Sequence, residues 1–215
     1  MDIFKVDMGY PGIEIKVELI VLSEYLSQME AGIKATCDSY IKVEEEKITN
    51  EEFHEYQHIY DIAENEIPRI IRLPIIVSIY TLYENSVIKL LNFAQEKEGK
   101  HLSLKDINGK SVTSKFNKYM AHVLNYDFKF DNEFMQSIST INKIRNTIAH
   151  TNGNMDSLNK ERINEIKKVE KMKIGVSIYG SQLDVSYDFI NFSMLTSSAA
   201  IKELMAYMET KYDYN

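Results

Sequence analysis

The chain has 215 residues, of which 44% are hydrophobic and 27% charged, and its formal net charge is -7. This is enough for one domain of ordinary size with a real core, and the acidic balance excludes a protein that coats nucleic acid through bulk charge. No apolar run reaches the length of a membrane-spanning helix, so no membrane contact is expected. The opening "MDIFKVDMGYPG" has no basic stretch followed by an apolar one, so no signal peptide is expected. The single cysteine, Cys37, rules out an intramolecular disulfide and fits a cytoplasmic location.

Residues 1–8 alternate apolar and polar side chains and predict a short N-terminal β element, closed by a turn at Tyr10-Pro11-Gly12. The stretch from Ile13 begins with strand-like alternation and continues as a helix through Leu19, Leu22, Leu26, Met29 and Ile33. A second helix is predicted over 51–67, with Thr49 or Asn50 as its cap. Residues 68–97 form the longest predicted helix, with Ile76, Ile79, Tyr80, Tyr83, Val87, Leu90 and Leu91 on one face. Pro68 suits its first turn, and Pro74 marks either a kink or the true start. A loop follows over 98–110, with turns at Gly99 and Asn108-Gly109, then a short helix over 112–124. Residues 131–151 read as a helix capped by Asp131 or Asn132, with Phe134, Ile138, Ile141, Ile144 and Ile148 as its apolar stripe and Asn152-Gly153 as its stop. A charged helix over 156–172, a β-hairpin turning at Gly180-Ser181 and a last helix over 190–211 complete the chain. The fold class is mainly α with one small hairpin. Residues 1–66 read as an N-terminal extension and 67–215 as a helical domain.

Charge is unevenly distributed. Residues 44–66 hold nine acids and one lysine, whereas 100–129 hold six lysines and two acids, a surface able to receive a polyanion or simply to be solvated. Three local patterns bear on chemistry. Gly109-Lys110-Ser111 is not a phosphate loop, because position 104 is leucine where that loop needs glycine. "HEYQH" at 54–58 places His54 and His58 on one helical face, with Glu55 between them. A zinc hydrolase built on it would need a third ligand, for which Glu84 is the candidate. The flanking Glu51 and Glu52 favour instead the solvated face of an acidic helix. "IRNTIAH" at 144–150 places Asn146 and His150 on one helical face with Arg145 at its edge, beside the apolar stripe. Spacing alone favours a histidine at a helix C-terminus and a salt-bridged arginine.

"IRNTIAH" also resembles the R-x(4-6)-H signature of the HEPN superfamily, including the polar residue after the arginine. "LPIIVSIYTLYENSVIKLL" at 73–91 resembles the earlier long HEPN helix, an aromatic-rich face followed by an acidic residue, here Glu84. The resemblance covers roughly 68–211 and leaves the first 66 residues without a counterpart. It implies a HEPN-type helical bundle that forms a homodimer, with the two motifs meeting in one composite cleft. It further implies a metal-independent endoribonuclease with no cofactor, acting as a toxin or anti-phage defence effector under the control of an antitoxin or regulatory protein.

The residue types suit that chemistry. RNA supplies its own nucleophile beside the phosphate. An imidazole moves protons near neutral pH, which assigns His150 as general acid or base. A guanidinium binds two phosphate oxygens, which assigns Arg145 to charge stabilisation, with Asn146 as an orienting group. Glu84 is the expected salt-bridge support of Arg145, and Lys143 the expected substrate-binding cation. The dimer interface is expected on Ile141, Ile144 and Ile148. Two readings stand beside this one: a non-catalytic HEPN module that dimerises and binds a partner, and the zinc hydrolase.

Overall fold

Helix-forming periodicity dominates the chain, and the computed structural model, which describes residues 9–48 and 53–214, is mainly helical. The α-helices in order are α1 (Gly12–Glu45), α2 (Phe53–Asp61), α3 (Ile67–Lys97), α4 (Val112–His122), α5 (Asn132–Thr151), α6 (Lys160–Glu170) and α7 (Tyr187–Lys211). Between α6 and α7 lies an antiparallel hairpin, β1 (Val176–Tyr179) and β2 (Gln182–Val185), paired Val176 to Val185 and Tyr179 to Gln182. Among the described residues no helix is long and apolar enough to cross a membrane. The β element expected over 1–8 and the caps expected at Thr49 and Asn50 lie outside the described residues.

Three local outcomes differ from the sequence expectation. α1 is helical from Gly12, with no strand at its start. The alternation of Ile13, Ile15, Val17 and Leu19 misleads, because burial follows the helical period. Ile15 and Leu19 are buried, whereas Ile13 and Val17 stay 68% and 53% exposed. Pro74 is not the start of α3, which runs through it. A π-turn over Ile62–Glu66 joins α2 directly to α3, with the Ile67 N–H reaching back to the Ile62 carbonyl. Pro68 has no N–H to give to the preceding turn, and the widened turn stands just before it.

The chain packs as two units, each assembled from separated stretches, so each takes residues from both sides of position 66. The first comprises Met1–Val21, Ser78–Lys143 and Ser193–Asn215. Its core is aromatic. Tyr83 is fully buried, with the rings of Tyr80, Phe116, Phe130 and Phe134 all within 6.4 Å of its own, mostly edge to face. Its hydroxyl bonds the Thr113 hydroxyl at 3.2 Å, and burial pushes its phenol well above the ordinary tyrosine value. Lys97 stands over the rings of Phe93, Tyr212 and Tyr214 and hydrogen-bonds the Tyr214 hydroxyl. Lys89 of α3 bridges to Glu14 and Glu18 of α1 at 2.8 and 3.2 Å.

The second unit comprises Leu22–Val77 and Ile144–Phe192. Its core draws on Leu26, Met29 and Ile33 of α1, Leu73 and Ile76 of α3, Ile144 and Ile148 of α5, and Leu183 and Val185 of β2. Arg72 holds Glu30 in a two-point bridge, Nε to Oε1 at 2.9 Å and Nη2 to Oε2 at 2.6 Å. Arg69 binds Glu66 at 2.7 Å and reaches Gln182 at 3.4 Å. Nearby Asp184 is driven above the ordinary carboxylate range by burial, which Arg72 and Arg69 only partly offset, and its Oδ1 is buried without a partner.

Two stability predictions concern this second unit. Glu30→Gln breaks the two-point bridge and strands a half-buried guanidinium. It should lower unfolding free energy by about 1.5–3 kcal/mol, read as a reduced urea midpoint at unchanged slope. Asp184 binds its proton more tightly folded than unfolded. Its favourable contribution is therefore complete below about pH 3.9 and lost as pH rises through the raised value. Asp184→Asn should thus raise the melting temperature at pH 7, with the gain shrinking towards pH 4; an equal gain at both pH values would refute the burial argument.

Candidate active site at the end of α5

The position of the Arg145, Asn146 and His150 side chains starts with how α5 is held. Asp131 caps the helix, its Oδ1 accepting the Phe134 N–H at 2.7 Å. Ile138, Ile141, Ile144 and Ile148 repeat at helical spacing and all four are buried. That stripe fixes the rotation of the helix about its own axis. Arg145 and Asn146 are then half-buried at the stripe's edge, and His150 is exposed.

The far end is held by the hairpin. Asn152 and Gly153 both take left-handed backbone, with φ of 51° and 81°. The chain then runs along the free edge of β2: the Leu183 N–H donates to the Gly153 carbonyl and the Met155 N–H to the Ser181 carbonyl, each at 2.8 Å. β2 is thus bonded to β1 on one side and to the segment after His150 on the other. A side chain at Gly153 would be tightly crowded, since a Cβ there would lie 3.2 Å from Leu73 Cδ1 and 3.3 Å from the Leu183 carbonyl oxygen.

Within the motif, Arg145 Nη1 donates to Asn146 Oδ1 at 2.8 Å. The amide oxygen holds the guanidinium from one side and leaves the Asn146 amide nitrogen as a donor. His150 follows four residues later, on the same helical face and about 6 Å further along the axis. A guanidinium, an amide donor and an exposed imidazole therefore share one end of one helix. That set can bind an oxyanion and exchange a proton with a group attached to it.

Glu84, on α3, and Lys143, on α5, are partly exposed and belong to the first unit, whereas Arg145, Asn146 and His150 belong to the second. Of the lysines between 100 and 118, Lys100 pairs with Glu98 at 3.6 Å and Lys118 donates to the Asn108 carbonyl at 3.0 Å, so both are engaged locally. The expectation that Ile141, Ile144 and Ile148 face a second copy is corrected: the chain buries all three itself, so they are core and not interface. Among the described residues no group of three or more histidine, cysteine or carboxylate side chains is placed to hold a metal ion. His58 is exposed beside a cleft of about 500 Å³ lined by Asp61, Glu64, Asn65 and Tyr179. The cations of α6 do not stand out in the sequence, where they are one part of a charged helix. Their signal is the spacing of Lys160, Lys167 and Lys171, which puts them on one face.

Comparison of the chain with protein-family models, with curated proteins and with solved structures finds no match.

Gly153→Ala tests how the end of α5 is held. The left-handed backbone and the tight packing should together cost about 1–3 kcal/mol, measured as a shift in urea midpoint against wild type.

Proposed function

We propose that the chain is a metal-independent endoribonuclease of HEPN type. The observation that carries this reading is the hydrogen bond from Arg145 to Asn146 at 2.8 Å, with His150 exposed on the same helix end. In the reaction the RNA 2′-hydroxyl attacks its own phosphorus. An imidazole accepts the hydroxyl proton, the bond from phosphorus to the 5′-oxygen breaks, and an imidazolium protonates that oxygen. The products are a 2′,3′-cyclic phosphate and a free 5′-hydroxyl. Arg145 neutralises the charge that grows on the phosphoryl oxygens, and Asn146 holds Arg145 in place while offering its own N–H.

One motif histidine per chain calls for two chains if acid and base are both imidazoles, so the reading includes a homodimer with a composite site. With the isoleucine stripe internal, the two copies would meet over the exposed end of α5 instead. In this reading the enzyme is cytoplasmic and serves as a toxin or anti-phage effector, held in check by an antitoxin or regulatory protein. Lys143 contributes to substrate binding.

Purified protein in excess chelator, given single-stranded RNA, should yield fragments with cyclic-phosphate ends. His150→Ala and Arg145→Ala should each slow cleavage by about 10²–10⁴-fold with little change in melting temperature. A folded protein whose His150→Ala variant cuts as fast as wild type would leave His150 with the structural role of a helix-terminal histidine.

A further inference from the structure

α6 is short and densely charged, and its charges are sorted by face. Lys160 and Lys167 of α6 and its C-cap residue Lys171 sit at i, i+7 and i+11, within about 40° of one another around the axis and over about 16 Å of its length. All three are exposed. Asn164 occupies the position between the first two, and Lys168 flanks the row, also exposed. The glutamates lie off the row at 161, 165 and 170, and Glu170 is engaged, its Oε1 accepting the Ile178 N–H at 3.0 Å. Three ion pairs of this unit, Glu30 with Arg72, Glu66 with Arg69 and Glu44 with Lys47, lie outside α6. None of the row's lysines is held in an ion pair among the described residues.

Helix stability does not account for the row. Lysines in the last turn complement the helix dipole, but Lys160 is the first residue of α6, where a cation opposes it. The cap at that end is already supplied by Asn159, whose Oδ1 accepts the Arg162 N–H at 2.9 Å. The cost at Lys160 is met if an extended anion lies along the whole face. A membrane surface fits poorly, because an interfacial helix must offer its apolar residues to lipid, and Ile166 and Val169 of α6 are buried in the protein. The row holds no aromatic ring on which a base could stack, so the contacts it offers are to phosphate and carry no sequence preference.

We infer that the Lys160–Lys167–Lys171 face of α6 is a binding tract for the phosphate backbone of single-stranded RNA. The inference rests on the ribonuclease reading for the identity of the polyanion. It places the substrate's backbone on the element that follows the His150 helix in the chain.

The test measures binding of a fluorescent single-stranded RNA of a dozen nucleotides over a range of salt, with every protein carrying His150→Ala to block cleavage. The triple variant Lys160→Gln, Lys167→Gln, Lys171→Gln is compared with a charge-matched control, Lys34→Gln, Lys42→Gln, Lys202→Gln. All six positions are exposed, and circular dichroism confirms that each variant is folded. The tract triple should bind at least tenfold more weakly at low salt. Its slope of log affinity against log salt should be shallower by about 2, at ~0.7 for each phosphate that is no longer neutralised, while the control stays close to the parent. Equal losses in both triples, no loss in either, no RNA binding by the parent, or a loss confined to vesicles of anionic lipid would each overturn the inference. Cleavage assays on chains with His150 intact separate the two ideas. A tract effect without any His150-dependent cleavage keeps the tract and removes the ribonuclease, and the reverse result removes only the tract.

Discussion

Four isoleucines decide where Arg145, Asn146 and His150 stand. Ile138, Ile141, Ile144 and Ile148 are buried along one side of α5, and a helix whose apolar side is committed has no rotational freedom left. Arg145 and Asn146 must then sit at the margin between core and solvent, and His150 must face out. A cation at such a margin keeps part of its hydration and avoids the full cost of burial. The neighbouring amide oxygen meets one of its N–H groups at 2.8 Å. The hairpin completes the constraint by tying down the residues just past His150, so that both the azimuth and the end of the helix are set by packing.

Much of this architecture is readable from residue order, and the reasons for the exceptions are physical. α3, α5 and α7 announce themselves by helical repeats of large apolar residues, and the hairpin by its glycine turn. Asp131 capping and the Asn152-Gly153 stop follow from side-chain and backbone chemistry that acts within a few residues. The misreadings arise where distant packing overrides a local pattern. The first turns of α1 alternate like a strand, yet only every third or fourth residue meets the core. The isoleucines of α5 look like an interface because periodicity reveals that a face is apolar, not what covers it. Pro74 sits on an exposed face of α3, where the hydrogen bond it fails to make faces water. The grouping of Arg145, Asn146 and His150 is legible because all three share one helix. The grouping of Glu84 with the first unit depends on how remote stretches assemble, and no short window of sequence contains that.

The acidic net charge of -7 conceals a sorting of charge by element. The acids around α2 and the π-turn line an open cleft with His58 and Tyr179, whereas the cations of α6 form a row in the same unit. Several of the remaining cations are already engaged: Lys89 with two glutamates of α1, Lys97 with three aromatic rings, Arg72 with both oxygens of Glu30. An average over the chain therefore says little about what any one surface attracts.

The π-turn between α2 and α3 is in effect one residue more than an α-helix would need. Removing a single residue from Ile62–Glu66 would let α2 and α3 merge into one continuous α-helix, and every residue upstream of the deletion would rotate by about 100° about the common axis. Ile59, now buried, would swing away from the core, and His58 would leave its place beside the cleft. The widened turn thus works as a phase shifter. It allows two helical stretches whose apolar faces are out of step to be read off one unbroken rod, and it makes this short segment intolerant of changes in length.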